Sequence, residues 1–189
     1  MFRSIARWVS HGLNPAGVAL VLLICWWTYH PGEGVVVMLG VLFYIVLPAL
    51  SLFYGLRRGR MDQLYPTERQ QRSDLLLMGV LSYGIGVIVL WAVNPDLILL
   101  IAGISFTLAT MLVFCINLFW KISIHCVGVG GATVLLFSIT GFGMAWPGVL
   151  VALLVGWARL HLGSHTVPQV LAGFILGASV SLAVYWTVI

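Results

Sequence analysis

From Val35 to Leu56 the chain reads VVVMLGVLFYIVLPALSLFYGL, and Arg57-Arg58-Gly59-Arg60 follows at once. A helix needs roughly 20 apolar residues to cross a bilayer core, so this run is a membrane span that stops on a cluster of arginines. Six more apolar segments are read the same way: Leu13–Tyr29, Leu75–Val93, Leu97–Trp120, Ser123–Phe142, Met144–Leu160 and Val167–Ile189. Helix-breaking residues punctuate them at Pro31-Gly32, Asn94-Pro95-Asp96 and Gly143 to Pro147. With 61% hydrophobic and 7% charged residues, the 189-residue chain has too few polar groups to clothe a soluble domain. The runs are continuous rather than alternating, which excludes a β-barrel. The expected fold is an all-α polytopic transmembrane bundle of six to seven spans, the first and sixth being the weakest. It forms a single domain over residues 1–189.

Alternating these spans puts all nine Lys and Arg on one side, and only Glu33 and Asp96 on the other. Arg3, Arg7, Arg57, Arg58 and Arg60 serve as topology anchors and place that side in the cytoplasm, in an inner or plasma membrane. Arg3 and Arg7 ahead of an apolar run imitate a signal peptide. The run ends in Trp26-Trp27-Thr28-Tyr29-His30-Pro31 without a small-x-small cleavage pattern, so it is read as a retained span. Cys25, Cys115 and Cys126 have no paired spacing and read as membrane-buried apolar side chains, not as a disulfide or zinc site. Gly128, Gly130 and Gly131 read as close helix packing.

The basic border also carries chemistry. It holds the loop from Arg57 to Arg72, the stretch Lys121-Ile-Ser123-Ile-His125, and Arg159-Leu-His-Leu-Gly-Ser-His165-Thr-Val-Pro-Gln169. Ionisable groups at a membrane edge are costly unless they pair, snorkel or act. Histidine titrates nearest neutrality and serves as nucleophile, acid or base. Arginine offers a planar fork that matches phosphate oxygens, and lysine a point charge. His125 and His165 among Arg69, Arg72, Lys121 and Arg159 therefore favour a phosphate ester as ligand. Asp62, Glu68 and Asp74 share one loop, and no spacing suggests a metal cage, so no metal or cofactor is expected. The expected partners are the bilayer and a lipid phosphate, not nucleic acid. Taken singly, His125, His11, His30 and His161 read as interfacial histidines, and Arg159 as a snorkelling anchor.

Ser123-x-His125 followed by Arg159-x5-His165-x3-Gln169 resembles the second and third signatures of the type 2 phosphatidic acid phosphatase superfamily, membrane lipid phosphatases related to vanadium haloperoxidases. The usual second motif is Pro-Ser-Gly-His, here Ile122-Ser123-Ile124-His125. The third is Ser-Arg-x5-His-x3-Asp, here Ala158-Arg159 through His165 to Gln169. The first, Lys-x6-Arg-Pro, is replaced by Tyr65-Pro66-Thr67-Glu68-Arg69-Gln70-Gln71-Arg72. The similarity in motif order covers residues 57–180.

The resemblance implies a metal-free, two-step phosphoryl transfer. His165 attacks phosphorus, water hydrolyses the phosphohistidine, and His125 protonates the leaving oxygen. Arg159, Arg69 and Arg72 hold the phosphate, with Lys121 standing in for the missing first-motif lysine and Ser123 donating its hydroxyl. The family's aspartate is replaced by Gln169, which can orient His165 but brings no charge. The implied substrates are an isoprenoid phosphate or diphosphate, phosphatidic acid, or phosphatidylglycerol phosphate. A lipid phosphotransferase and a non-catalytic lipid-phosphate-binding membrane protein are the alternatives.

Overall fold

The computed structural model describes residues 2–59, 69–141 and 145–189. Every regular element in them is helical: α1 (Phe2–Gly12), α2 (Pro15–Tyr29), α3 (Gly34–Val41), a π-helical turn (Leu42–Val46), α4 (Leu47–Arg57), α5 (Arg69–Val93), α6 (Leu97–Asn117), α7 (Ile124–Thr140), α8 (Ala145–His161) and α9 (Val167–Val188). The all-helical class follows the sequence expectation. Among the described residues four stretches are long and apolar enough to cross a membrane: Gly34–Arg57, Gln71–Val93, Leu97–Asn117 and Val167–Val188. A fifth results if α1 and α2, bent by 59°, count as one. Helices α7 and α8 have 17 residues each, about 26 Å at the α-helical rise, short of a hydrocarbon core of about 30 Å. Helix length thus supports four to five spans, fewer than the six to seven read from the apolar runs. Phe142 to Met144, at the junction of the fifth and sixth runs, lie outside the described residues.

Large apolar side chains face outward. Ile88, Leu153, Ile175 and Trp186 are each at least 64% exposed, an exterior suited to lipid rather than water. Polar groups appear where helices start. Asn14 Oδ1 accepts from Gly17 N at 2.8 Å with Pro15 opening α2, and Asp96 Oδ1 accepts from Leu99 N at 2.9 Å at the start of α6. Asp96 also draws Trp26 Nε1 to 3.3 Å and His30 Nε2 to 3.7 Å, which fixes the end of α2 to the α5–α6 turn.

The span from Gly34 to Arg57 contains Pro48, which cannot donate to the helix ladder. The chain responds with the π-helical turn, where Leu47 N–H reaches Leu42 O. Phe43 O is then left without an intrahelical donor, because residue 48 is the proline. Ser82 Oγ on α5 donates to it at 2.6 Å, as a buried carbonyl requires. The widened turn buries Tyr44, whose ring stacks on Tyr83 at 5.2 Å.

Helix α7 is central, packing on α2, α6, α8 and α9. Its approach to α9 depends on glycines. A Cβ on Gly130 would lie 2.6 Å from Phe174 O, and one on Gly173 would lie 2.8 Å from Ser123 O. A Cβ on Gly177 would collide with Val127 O. Gly130 and Gly131 thus pack as the sequence suggests, while a Cβ on Gly128 would make only an ordinary contact, 3.9 Å from Pro15 Cα. The close contact brings the N-termini of α7 and α9 together at one end of the bundle, where the candidate site lies.

Candidate functional site

The spacing of Arg159 and His165 reflects how α8 stops. Gly163 takes φ +66°, its N–H bonds Leu160 O at 2.9 Å, and Ser164 N–H bonds Arg159 O at 3.1 Å. This paired pattern with a left-handed glycine is the Schellman stop. It folds the chain back so that His165 returns toward Arg159, and Thr166 then opens α9 with Pro168 in its first turn. Gln169, the third residue of α9, accepts from Thr166 N–H through Oε1 at 3.1 Å.

The same Gln169 oxygen lies 3.1 Å from His165 Nδ1. A backbone N–H can only donate, so the atom facing Thr166 is the amide oxygen, and His165 must donate to it from Nδ1. The lone pair of the neutral ring then sits on Nε2. Burial first, then the positive charge of Arg159, pushes the His165 pKa down to about 3, against an opposing contribution from Gln169. The ring is neutral at pH 7.

Arg159, 8% exposed, donates from Nη1 to Ser10 Oγ at 2.7 Å. His125 sits in the first turn of α7, 2% exposed, with Nε2 3.1 Å from the carbonyl oxygen of Ser10. Because that partner is a carbonyl, Nε2 carries the proton. Ser10, from α1, therefore holds two candidate site residues, and the sequence reading missed it. Its one sequence signal was the pair of small residues Ala6 and Ser10 on one helical face. Arg72 donates from Nη2 to Ile122 O at 3.1 Å, and its Nη1 is buried with no hydrogen-bond partner among the described residues. Ser123 N–H reaches Gln169 O at 3.4 Å, which joins the two motif segments. Asn117 Nδ2 donates to Ser73 Oγ at 3.1 Å and braces α6 on α5.

A cavity of about 660 Å³ gathers these groups. Its polar lining includes Ser10, His11, Arg72, Lys121, His125, Arg159 and His165. Its other walls include Tyr44, Pro48, Leu52 and Leu76, with Gly79 and Tyr83. No acidic side chain lines it among the described residues. Burial, then Arg72 and Arg159, lowers the Lys121 pKa, as expected of crowded cations. The N-termini of α7 and α9 add their positive dipole ends.

Five of the sequence-predicted residues, Arg72, Lys121, His125, Arg159 and His165, thus share one cavity, and Gln169 supports His165 from behind. Ser123 does not line it: the side chain is fully buried and its hydroxyl donates to Cys126 Sγ at 3.1 Å. The Arg69 side chain, like Asp62 and Tyr65 to Glu68, lies outside the described residues. His11 lines the cavity although its position suggested only a boundary residue, whereas His161 stacks on Trp157 at 5.3 Å. No group of three or more metal-ligating side chains occurs among the described residues. No family model, curated protein or solved structure matches this chain.

Proposed function

We propose that the protein is an integral membrane lipid phosphatase that cleaves a phosphate monoester or diphosphate through a phosphohistidine on His165. The observation that carries this reading is the cavity itself. It combines three cations and a neutral histidine with a free Nε2 lone pair, without a carboxylate among the described lining residues, with walls of apolar side chains. Its volume is in the range of small-molecule sites. An amphiphile with an anionic head and an apolar tail fits that division.

In the proposed reaction His165 Nε2 forms a bond to phosphorus as the bond from phosphorus to the lipid oxygen breaks. Arg72, Lys121 and Arg159 neutralise charge on the non-bridging oxygens. Gln169 keeps the proton on Nδ1, so the attacking nitrogen stays unprotonated. The leaving oxygen takes its proton by way of His125, which passes on one that the bound phosphate monoanion carries in and is left in the neutral form held by Ser10. Water then attacks phosphorus, giving a proton to the neutral His125 as the bond from phosphorus to His165 Nε2 breaks; the phosphate leaves with that proton, which restores both histidines. In this reading α7 and α8, extended by their flanking loops, complete a six- to seven-span bundle whose site faces the cytoplasm. Candidate substrates are isoprenoid phosphates or diphosphates, phosphatidic acid and phosphatidylglycerol phosphate.

The test is phosphate release from those lipids by purified protein in detergent with EDTA present. Release that persists in EDTA and disappears in His165→Ala is the expected result. Saturable lipid-phosphate binding without release would instead favour the non-catalytic reading. Transfer to an added alcohol would favour a phosphotransferase.

A further inference from the structure

Helix α1 has three different faces. At about 100° per residue, Ala6 and Ser10 fall together and are buried against the bundle. Phe2, Ile5 and Trp8 fall on a second sector and are 62%, 43% and 80% exposed. Arg3, Arg7 and His11 form a third, exposed sector, and α1 has no acidic residue. The helix bends 59° away from α2, at the end of the bundle where α4 finishes on exposed Arg57 and Arg58. Protein on one side, apolar side chains on the second and cations on the third match a helix lying at a bilayer surface.

We infer that α1 docks on the anionic headgroup surface of the membrane that holds the bundle, and that docking steadies the site through Ser10. The occupant follows from charge: Arg3 and Arg7 flank the apolar stripe, Arg57 and Arg58 are exposed at the end of α4, and all four complement anionic lipid. The link to the site is Ser10, whose hydroxyl accepts from Arg159 and whose carbonyl accepts from His125. The docking surface is independent of the phosphatase reading, while its effect on phosphate binding rests on that reading.

The experiment uses the full chain in nanodiscs of phosphatidylcholine alone or mixed with phosphatidylglycerol. It follows amide hydrogen exchange of residues 2–12 and the affinity for inorganic phosphate. Exchange in α1 should slow in the anionic discs. That protection should fall about fivefold for each of Arg3→Gln and Arg7→Gln, and should be lost in Ile5→Ser/Trp8→Ser, with phosphate affinity falling alongside. Ser10→Ala should weaken phosphate binding while leaving α1 exchange unchanged, because it removes the hydroxyl and keeps the carbonyl. Equal α1 exchange in both lipids and in all these variants would overturn the docking. Docking with phosphate affinity unaffected by Ser10→Ala would overturn the coupling. Docking with no phosphate binding in the wild type would count against the phosphatase reading and leave the docking standing.

Discussion

Gln169 Oε1 accepts from His165 Nδ1 and from Thr166 N–H, each at 3.1 Å. One amide oxygen therefore caps α9 and sets the tautomer of the proposed nucleophile. The two roles separate by substitution. Gln169→Leu removes both bonds and should cost about 1 kcal/mol of stability, as lost caps do. Turnover should fall much further, by between about 10² and about 10⁴, the upper figure being that for losing the orienting carboxylate behind a catalytic histidine. Gln169→Glu keeps the length and both acceptor contacts and adds the missing charge, so it should retain stability and raise kcat. Thermal unfolding and steady-state kinetics on both variants check this. A pure capping role predicts the stability change alone.

His165 should remain neutral far below the usual histidine range. Its folded pKa of about 3 stems from burial and then from Arg159, whereas the unfolded chain takes up that proton near 6.5. The unfolded state binds more protons between these values. The stability His165 contributes is therefore complete above about pH 6.5 and is lost as pH falls toward 3. Unfolding in detergent should show a steeper acid loss for wild type than for His165→Gln. Nitrogen NMR should show the Nδ1–H tautomer at about pH 5, and a protonation midpoint between 6 and 7 would contradict the placement.

The three cations should act on phosphate roughly in parallel. Arg72→Gln, Lys121→Gln and Arg159→Gln should each weaken inorganic phosphate binding by about tenfold or more, the scale of a hydrogen bond to a charged group. Calorimetric titration measures this. Arg57→Gln, outside the cavity lining, should leave the affinity unchanged in neutral detergent, where no anionic surface is present.

Close packing of α7 on α9 should be intolerant of added atoms. Gly177→Ala places a methyl group on Val127 O and should destabilise by about 1–3 kcal/mol or more. Gly79→Ala meets nothing closer than 3.5 Å and should be tolerated. Monodispersity and thermal unfolding in detergent distinguish the two.

Much of this arrangement was legible in the chain because it is local. Arg159 and His165 are separated by one Schellman stop around Gly163, and Thr166-Val-Pro-Gln169 has the spacing of a capping box. Chemistry and helix termination therefore left the same trace in the sequence. The helical class followed from apolar runs such as Val35–Leu56. Ser10 was not legible, since a hydroxyl meeting Arg159 across 149 positions leaves no periodic mark. Helix α1 was passed over because Arg3 and Arg7 read as topology anchors, although Phe2, Ile5 and Trp8 recur at helical spacing. Span number was less legible, because hydropathy measures apolar length: the described helices support four to five spans by length, and α7 and α8 are shorter than the apolar runs that hold them.

The central claim is a covalent bond between His165 and phosphorus. It is tested most directly by mixing the purified protein with a lipid phosphate in EDTA, quenching rapidly in alkaline denaturant, and mapping the peptides by mass spectrometry. The account predicts a transient phosphoryl group on His165 Nε2 that forms and decays at rates matching phosphate release and is absent from His165→Ala. Full turnover with no phosphoryl group on His165, or wild-type release by His165→Ala, would contradict it.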